Sequence, residues 1–144
     1  MKRMETARAF RANPDQINGL CAFLSEALHD CEAPEKYFTV MELAADEIFS
    51  NIVKYAYGDV PPKSAGDAVV VELSAGDGLL ELRFEDRGAP FNPLTAAPPD
   101  LVSGVEREIG GLGIFIARSV MDEVRYSREG GRNVLTLVKF VERA

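Results

Sequence analysis

From Phe38 through Met41, Ala45, Ile48 and Ile52 to Tyr55, apolar residues recur at spacings of three and four. No other feature so constrains what this chain can fold into. The spacing places these side chains on one face of a long amphipathic helix, and that face must be buried against something. Two later segments, AVVVELSA and LLELRFED, are aliphatic and alternating, with Gly76-Asp77-Gly78 between them. They predict a β-hairpin, and a hairpin offers an apolar face for the helix to cover.

The remaining elements fit the same two layers. Residues 4–12 suit an edge strand. Asn13, Pro14 and Gln16 read as a cap, a first-turn proline and a capping-box partner. The stripe Leu20, Phe23, Leu24, Ala27 and Leu28 then predicts a helix ending near Asp30, and Pro34 starts the long helix, which Gly58 ends. Residues 111–121 predict a third helix with Leu112, Phe115, Ile116, Val120 and Met121 as its apolar positions. Strands follow near residues 123–127 and 134–141, joined by Gly130-Gly131. Residues 89–110 lack periodicity and hold four prolines, Pro90, Pro93, Pro98 and Pro99, which reads as a lid. The expected fold is α+β: a two-layer sandwich, with a mixed, mostly antiparallel sheet and helices on one face. Residues 1–144 are expected to form one domain.

With 144 residues, 47% of them apolar, the chain can bury a substantial core. A net charge of −7 argues against nucleic acid or an anionic membrane as the main partner. No apolar run approaches the roughly 20 residues needed to span a bilayer. The first ten residues have no apolar core of signal-peptide length, so a cytoplasmic location is expected. Cys21 and Cys31 fall in one predicted helix, roughly 15 Å apart, too far for a disulfide. The lone His29, near a helix end, reads as a surface residue.

Three short motifs carry chemistry. Glu47 and Asn51 lie four residues apart, hence on one helical face. An amide oxygen suits Mg²⁺, and a carboxylate one turn earlier can take a proton from an attacking hydroxyl. Alone, the pair reads as a solvated helix face. Asp86-Arg87-Gly88 ends an apolar strand, where a buried aspartate can accept from an exocyclic amine and a glycine lets backbone approach a base. Alone, it is an acidic turn. Gly110-Gly111-Leu112-Gly113 opens a helix, whose free amides favour phosphate oxygens. It lacks the Gly-Lys-Ser/Thr of a P-loop and does not follow a first strand as a dinucleotide fingerprint should.

In this order, the motifs resemble the GHKL (Bergerat-fold) ATPase superfamily. Within it, they look most like the bacterial anti-sigma factor serine/threonine kinases. The resemblance covers essentially the whole chain, notably Asn51–Tyr57, Asp-Arg-Gly-Ala-Pro-Phe-Asn-Pro and residues 110–139. It implies ATP and Mg²⁺ as cofactors, Glu47 as general base, Asn51 as magnesium ligand, and Asp86 on the adenine amine. Gly88 would close the base pocket, and Gly111 and Gly113 would lie beside the phosphates under the lid. The implied reaction moves the γ-phosphoryl group of ATP to a serine of a small STAS-type anti-sigma-factor antagonist. A sigma factor would be the second partner, held by a homodimer. A nucleotide-holding interaction module without kinase activity is the alternative, and retention of Glu47 favours the enzyme.

Some positions stand out against the family pattern. Lys54 replaces a common histidine, and Ala89-Pro90 follows the Asp-x-Gly motif, as is typical of this branch. Asn133 stands where a threonine often assists adenine recognition, and its amide is expected to bind there too. Arg107 is the lid's candidate cation for phosphate, and reads equally as an exposed residue.

Overall fold

The computed structural model describes residues 1–57, 69–95 and 112–142. Five strands form one sheet: β1 (Met4–Phe10), β2 (Val69–Gly76), β3 (Leu79–Asp86), β4 (Glu123–Glu129) and β5 (Arg132–Phe140). Their order is β1-β2-β3-β5-β4, and all four pairings are antiparallel. The residues expected at an edge do form the edge strand β1. The two-residue turns Asp77-Gly78 and Gly130-Gly131 have φ of 52° and 75°, and of 55° and 79°. Positive φ at both positions matches the right-handed twist of the strands that such turns join.

Alternation in the strands becomes burial. In β2 and β3 every second residue is buried, so Val69, Val71, Leu73 and Ala75 share the inner face with Leu80, Leu82, Phe84 and Asp86. The helices α1 (Ile17–Asp30), α2 (Phe38–Asn51) and α3 (Leu112–Val120) add Leu20, Leu24, Met41, Ile48, Phe49 and Ala117 to the same core. Phe10 joins strand to helices, with its ring edge-to-face against Phe23 and Phe49 at 6.0 and 6.2 Å. Truncating one of the fully buried leucines, such as Leu82, costs about 2–5 kcal/mol. The outer face is mixed: Val134, Val138 and Phe140 share it with charged residues, and ion pairs such as Arg132–Glu85 (2.6 Å) and Arg125–Glu81 (3.9 Å) bridge its strands. Among the described residues, no helix is long and apolar enough to cross a membrane.

Three local expectations need correction. Asn13 Oδ1 does accept from the Asp15 N–H, but Pro14–Gln16 forms a 3-10 turn and α1 begins at Ile17. In that turn Gln16 donates to Asp15 Oδ1 instead of completing a capping box. The long helix does not continue regularly either. After Asn51 it widens into a π turn over Ile52–Ala56, closed by the Tyr57 N–H on the Ile52 carbonyl. In α3, Phe115 is 43% exposed and Ala117 takes the buried position, because the helix packs on α2 along the Ala117–Met121 side.

Candidate nucleotide site

The site starts on α2. Its buried stripe, Met41, Ala45, Ile48 and then Ile52, fixes the helix rotation and leaves Glu47 and Asn51 half-buried at its C-terminal end. Burial holds the Glu47 carboxyl above the ordinary glutamate range, and the charge of Asp46 adds to the effect. The Asn51 amide nitrogen is buried and has no hydrogen-bond partner among the described residues. Such an orphan costs about 1–3 kcal/mol, a cost that a polar ligand would lift.

Asp86 ends β3 on the inward parity, with only 3% of its surface exposed. Burial raises its carboxyl pKa above the usual range, while hydrogen bonds from Asn133 and Gly88 and the charge of Arg128 pull it back. The turn after Asp86 is clasped to the π turn. Ala89 N–H donates to the Ala56 carbonyl at 2.8 Å, and Arg87 N–H donates to the Tyr57 hydroxyl at 3.0 Å. A Cβ at Gly88 would lie 2.5 Å from the Ala56 oxygen. This glycine is therefore required by the chain's own packing, whether or not a base lies nearby. Arg128 closes the turn from β4 by donating to the Gly88 carbonyl at 2.9 Å.

Between α2, β3, β4 and β5 lies a small cleft, partly open to solvent, lined by Ile48, Asn51, Asp86, Phe91, Tyr126 and Asn133, among others. Phe91 packs against Tyr55 at 5.2 Å between centroids, which anchors the wall to the π turn. Asn133 needs a correction: its amide is not open to a base, because its own chain occupies it. It donates to Asp86 and to the Ala89 carbonyl, and accepts from Phe91 N–H and the Tyr126 hydroxyl.

Glu47, Asn51, Asp86 and Gly88 thus gather around one cavity and its margin. Gly113 lies in the first turn of α3. Gly110, Gly111, Arg107 and lid residues 96–110 lie outside the described residues, as does Gly58. Lys54 is exposed, with its ammonium 5.2 Å from the Tyr55 ring centroid, a cation–π contact. The motifs assigned no role to Tyr126, Phe91 or Arg128, although Phe91 falls within Asp-Arg-Gly-Ala-Pro-Phe-Asn-Pro. For Tyr126 the sequence carries one signal, its alternation with Val124, which puts both on one strand face.

Residues 10–139 match the family model described as the histidine kinase-like ATPase domain. The chain belongs to this family. Its branch is the one that the motif order resembled, that of the bacterial anti-sigma-factor serine kinases. This ATPase-family chain is 32% identical over 112 residues to the serine/threonine-protein kinase BtrW of Bordetella bronchiseptica, covering 77% of this chain and 75% of BtrW. It is 33% identical over 103 residues to the serine-protein kinase RsbW of Listeria monocytogenes, where the match covers 67% of this chain and 62% of RsbW. The latter share is a little under two thirds of that relative. Among solved structures, the RsbU and RsbW domains of Rv1364c from Mycobacterium tuberculosis superpose with a TM-score of 0.70 at 20% identity, over 98% of this chain and 33% of that one. The histidine kinase AdeS of Acinetobacter baumannii gives 0.53 at 14% identity, over 96% of this chain and 68% of its own. Both likenesses speak for the fold.

Proposed function

We propose that this chain is an ATP-dependent protein serine kinase that also sequesters a sigma factor. The observation that carries this reading is the meeting of Asn51 and Asp86 on one cleft, with Glu47 one helical turn from Asn51. Asp86 takes the adenine amine, and Gly88 keeps the turn beneath it tight. Gly113, in the first turn of α3, attends the phosphates, where helix amides favour anions, and Gly111 shares that role. The family match and two relatives named as serine kinases support the same activity.

The orphaned Asn51 amide and the hard oxygen on the same side chain fit a magnesium–nucleotide ligand. When bound, magnesium neutralises phosphate charge, which is most of what such a transfer requires. Glu47 takes the proton of the attacking serine hydroxyl. The serine oxygen bonds to the γ-phosphorus, the bond to the β–γ bridging oxygen breaks, and ADP leaves. A carboxylate held above its ordinary pKa is a better proton acceptor near neutrality.

The acceptor in this reading is a small STAS-type antagonist, the second client is a sigma factor, and the protein works as a cytoplasmic homodimer. Calorimetric titration with ATP, with and without Mg²⁺ and beside Asn51→Ala, tests the nucleotide site. Transfer of labelled γ-phosphate to a serine of a purified STAS-type antagonist tests the kinase step. Magnesium-dependent binding without transfer to any such acceptor would leave a nucleotide-holding interaction module in place of the enzyme.

A further inference from the structure

Asp86 and Asn133 are register partners across the β3–β5 ladder, and Asn133 pairs with Arg128 on its other side. A carboxamide can make four hydrogen bonds, two from its nitrogen and two to its oxygen. Asn133 makes all four within its own chain. Nδ2 donates to Asp86 Oδ1 at 2.9 Å and to the Ala89 carbonyl at 2.8 Å. Oδ1 accepts from Phe91 N–H at 3.2 Å and from the Tyr126 hydroxyl. At 4% exposure it has no hydrogen-bonding capacity left for a ligand.

Asp86 is different. Its two hydrogen bonds, from Asn133 Nδ2 and from Gly88 N–H at 2.9 Å, both fall on Oδ1. Among the described residues, Oδ2 receives none. One carboxylate oxygen is spent on the fold, and the other keeps its lone pairs at the cavity that Asp86 lines.

Resting on the ATP reading above, we propose that Asn133, backed by Tyr126, is a positioning residue that fixes which oxygen of Asp86 is offered to the nucleotide. Asn133 makes no polar contact with the base. It acts through Asp86, whose free oxygen selects a purine with an exocyclic amine, such as the N6 amine of adenine, over one with a keto oxygen there. The same amide holds Ala89 and Phe91, so the acceptor and the cavity wall are set by one side chain. Tyr126 supports it from β4, on the far side of Asn133 from Asp86.

The test separates action through Asp86 from direct contact with the base. The full chain with Mg²⁺ is titrated with ATP and with purine riboside triphosphate, which carries hydrogen in place of the 6-amine. The proteins are wild type, Asn133→Ala and Tyr126→Phe, each checked by thermal unfolding. A hydrogen bond to a carboxylate corresponds to a preference of about 10- to 100-fold for ATP in wild type. In Asn133→Ala that preference is expected to collapse to within about threefold through weaker ATP binding, with the analogue unchanged. Tyr126→Phe is expected to move the ratio the same way by a smaller factor, and it decides the matter if Asn133→Ala does not fold. Equal weakening of both nucleotides in a folded variant would overturn the proposal, as would an unchanged ratio. If wild type binds neither nucleotide, the ATP reading itself fails, and the role of Asn133 falls with it.

Discussion

The carbonyl oxygen of Ala56 lies 2.5 Å from where the Cβ of any side chain at Gly88 would stand. The π turn after α2 and the turn after β3 therefore meet backbone to backbone. The adjacent hydrogen bond from Ala89 N–H to Ala56 fixes that approach at 2.8 Å. Two motifs more than thirty residues apart in sequence are made one site by this contact.

Gly88→Ala should thus be a destabilising change in its own right. The atoms in the way are the carbonyl and Cβ of Ala56, neither free to swing aside, so the clash is relieved by shifting one turn or the other, at about 1–3 kcal/mol. Thermal unfolding should show a clear fall in Tm, and ATP affinity should fall with it as Asp86 moves. An unchanged Tm would mean the two turns are not in close contact.

Asn51→Ala should behave in the opposite way. The buried amide nitrogen has no partner among the described residues, and removing an unsatisfied polar group is close to neutral for the fold. Tm should stay level or rise, while magnesium-dependent ATP binding disappears from the calorimetric titration. Full ATP affinity in this variant would remove the metal-ligand role.

Glu47→Gln should keep nucleotide and lose about 10²- to 10⁴-fold in phosphoryl transfer. Its folded-state pKa is raised, first by burial and then by Asp46. For an acid this favours the protonated form, so its stabilising contribution is complete below the ordinary glutamate pKa and is lost as pH rises through the raised value. The variant should accordingly be more stable than wild type at neutral pH, with the difference closing in acid. In wild type the transfer rate should fall on acidification through that raised pKa, as the base becomes protonated. Stability curves and rate–pH profiles for both proteins would settle the sign.

Asp86→Asn should change which base is preferred. With Gly88 N–H and Asn133 Nδ2 both donating to Oδ1, the new amide keeps its oxygen there and puts NH₂ where Oδ2 was. A donor now meets the exocyclic amine of adenine, and ATP should weaken by about 10- to 100-fold. Inosine triphosphate, with a keto oxygen at that position, should gain relative to ATP. Competition titration of the two nucleotides reads the ratio directly.

The sequence by itself determined the element types, the sheet hairpins and most of the core. Period-2 alternation in β2 and β3 and the three–four spacing in α1 and α2 are local consequences of backbone geometry. They also put Asp86 on the buried parity of its strand, and Glu47 and Asn51 on one helical face. Only the tertiary structure decided the partners. Local pattern does not distinguish an α turn from the π turn at Ile52–Ala56, nor does it show that Phe115 faces out while Ala117 faces in. The saturation of Asn133 follows from the register of β3, β5 and β4, which brings Asp86 and Tyr126 to it from 47 and 7 residues away. Hydrogen-bond partners belong to whatever the fold brings within about 3 Å, and no spacing along the chain records that distance.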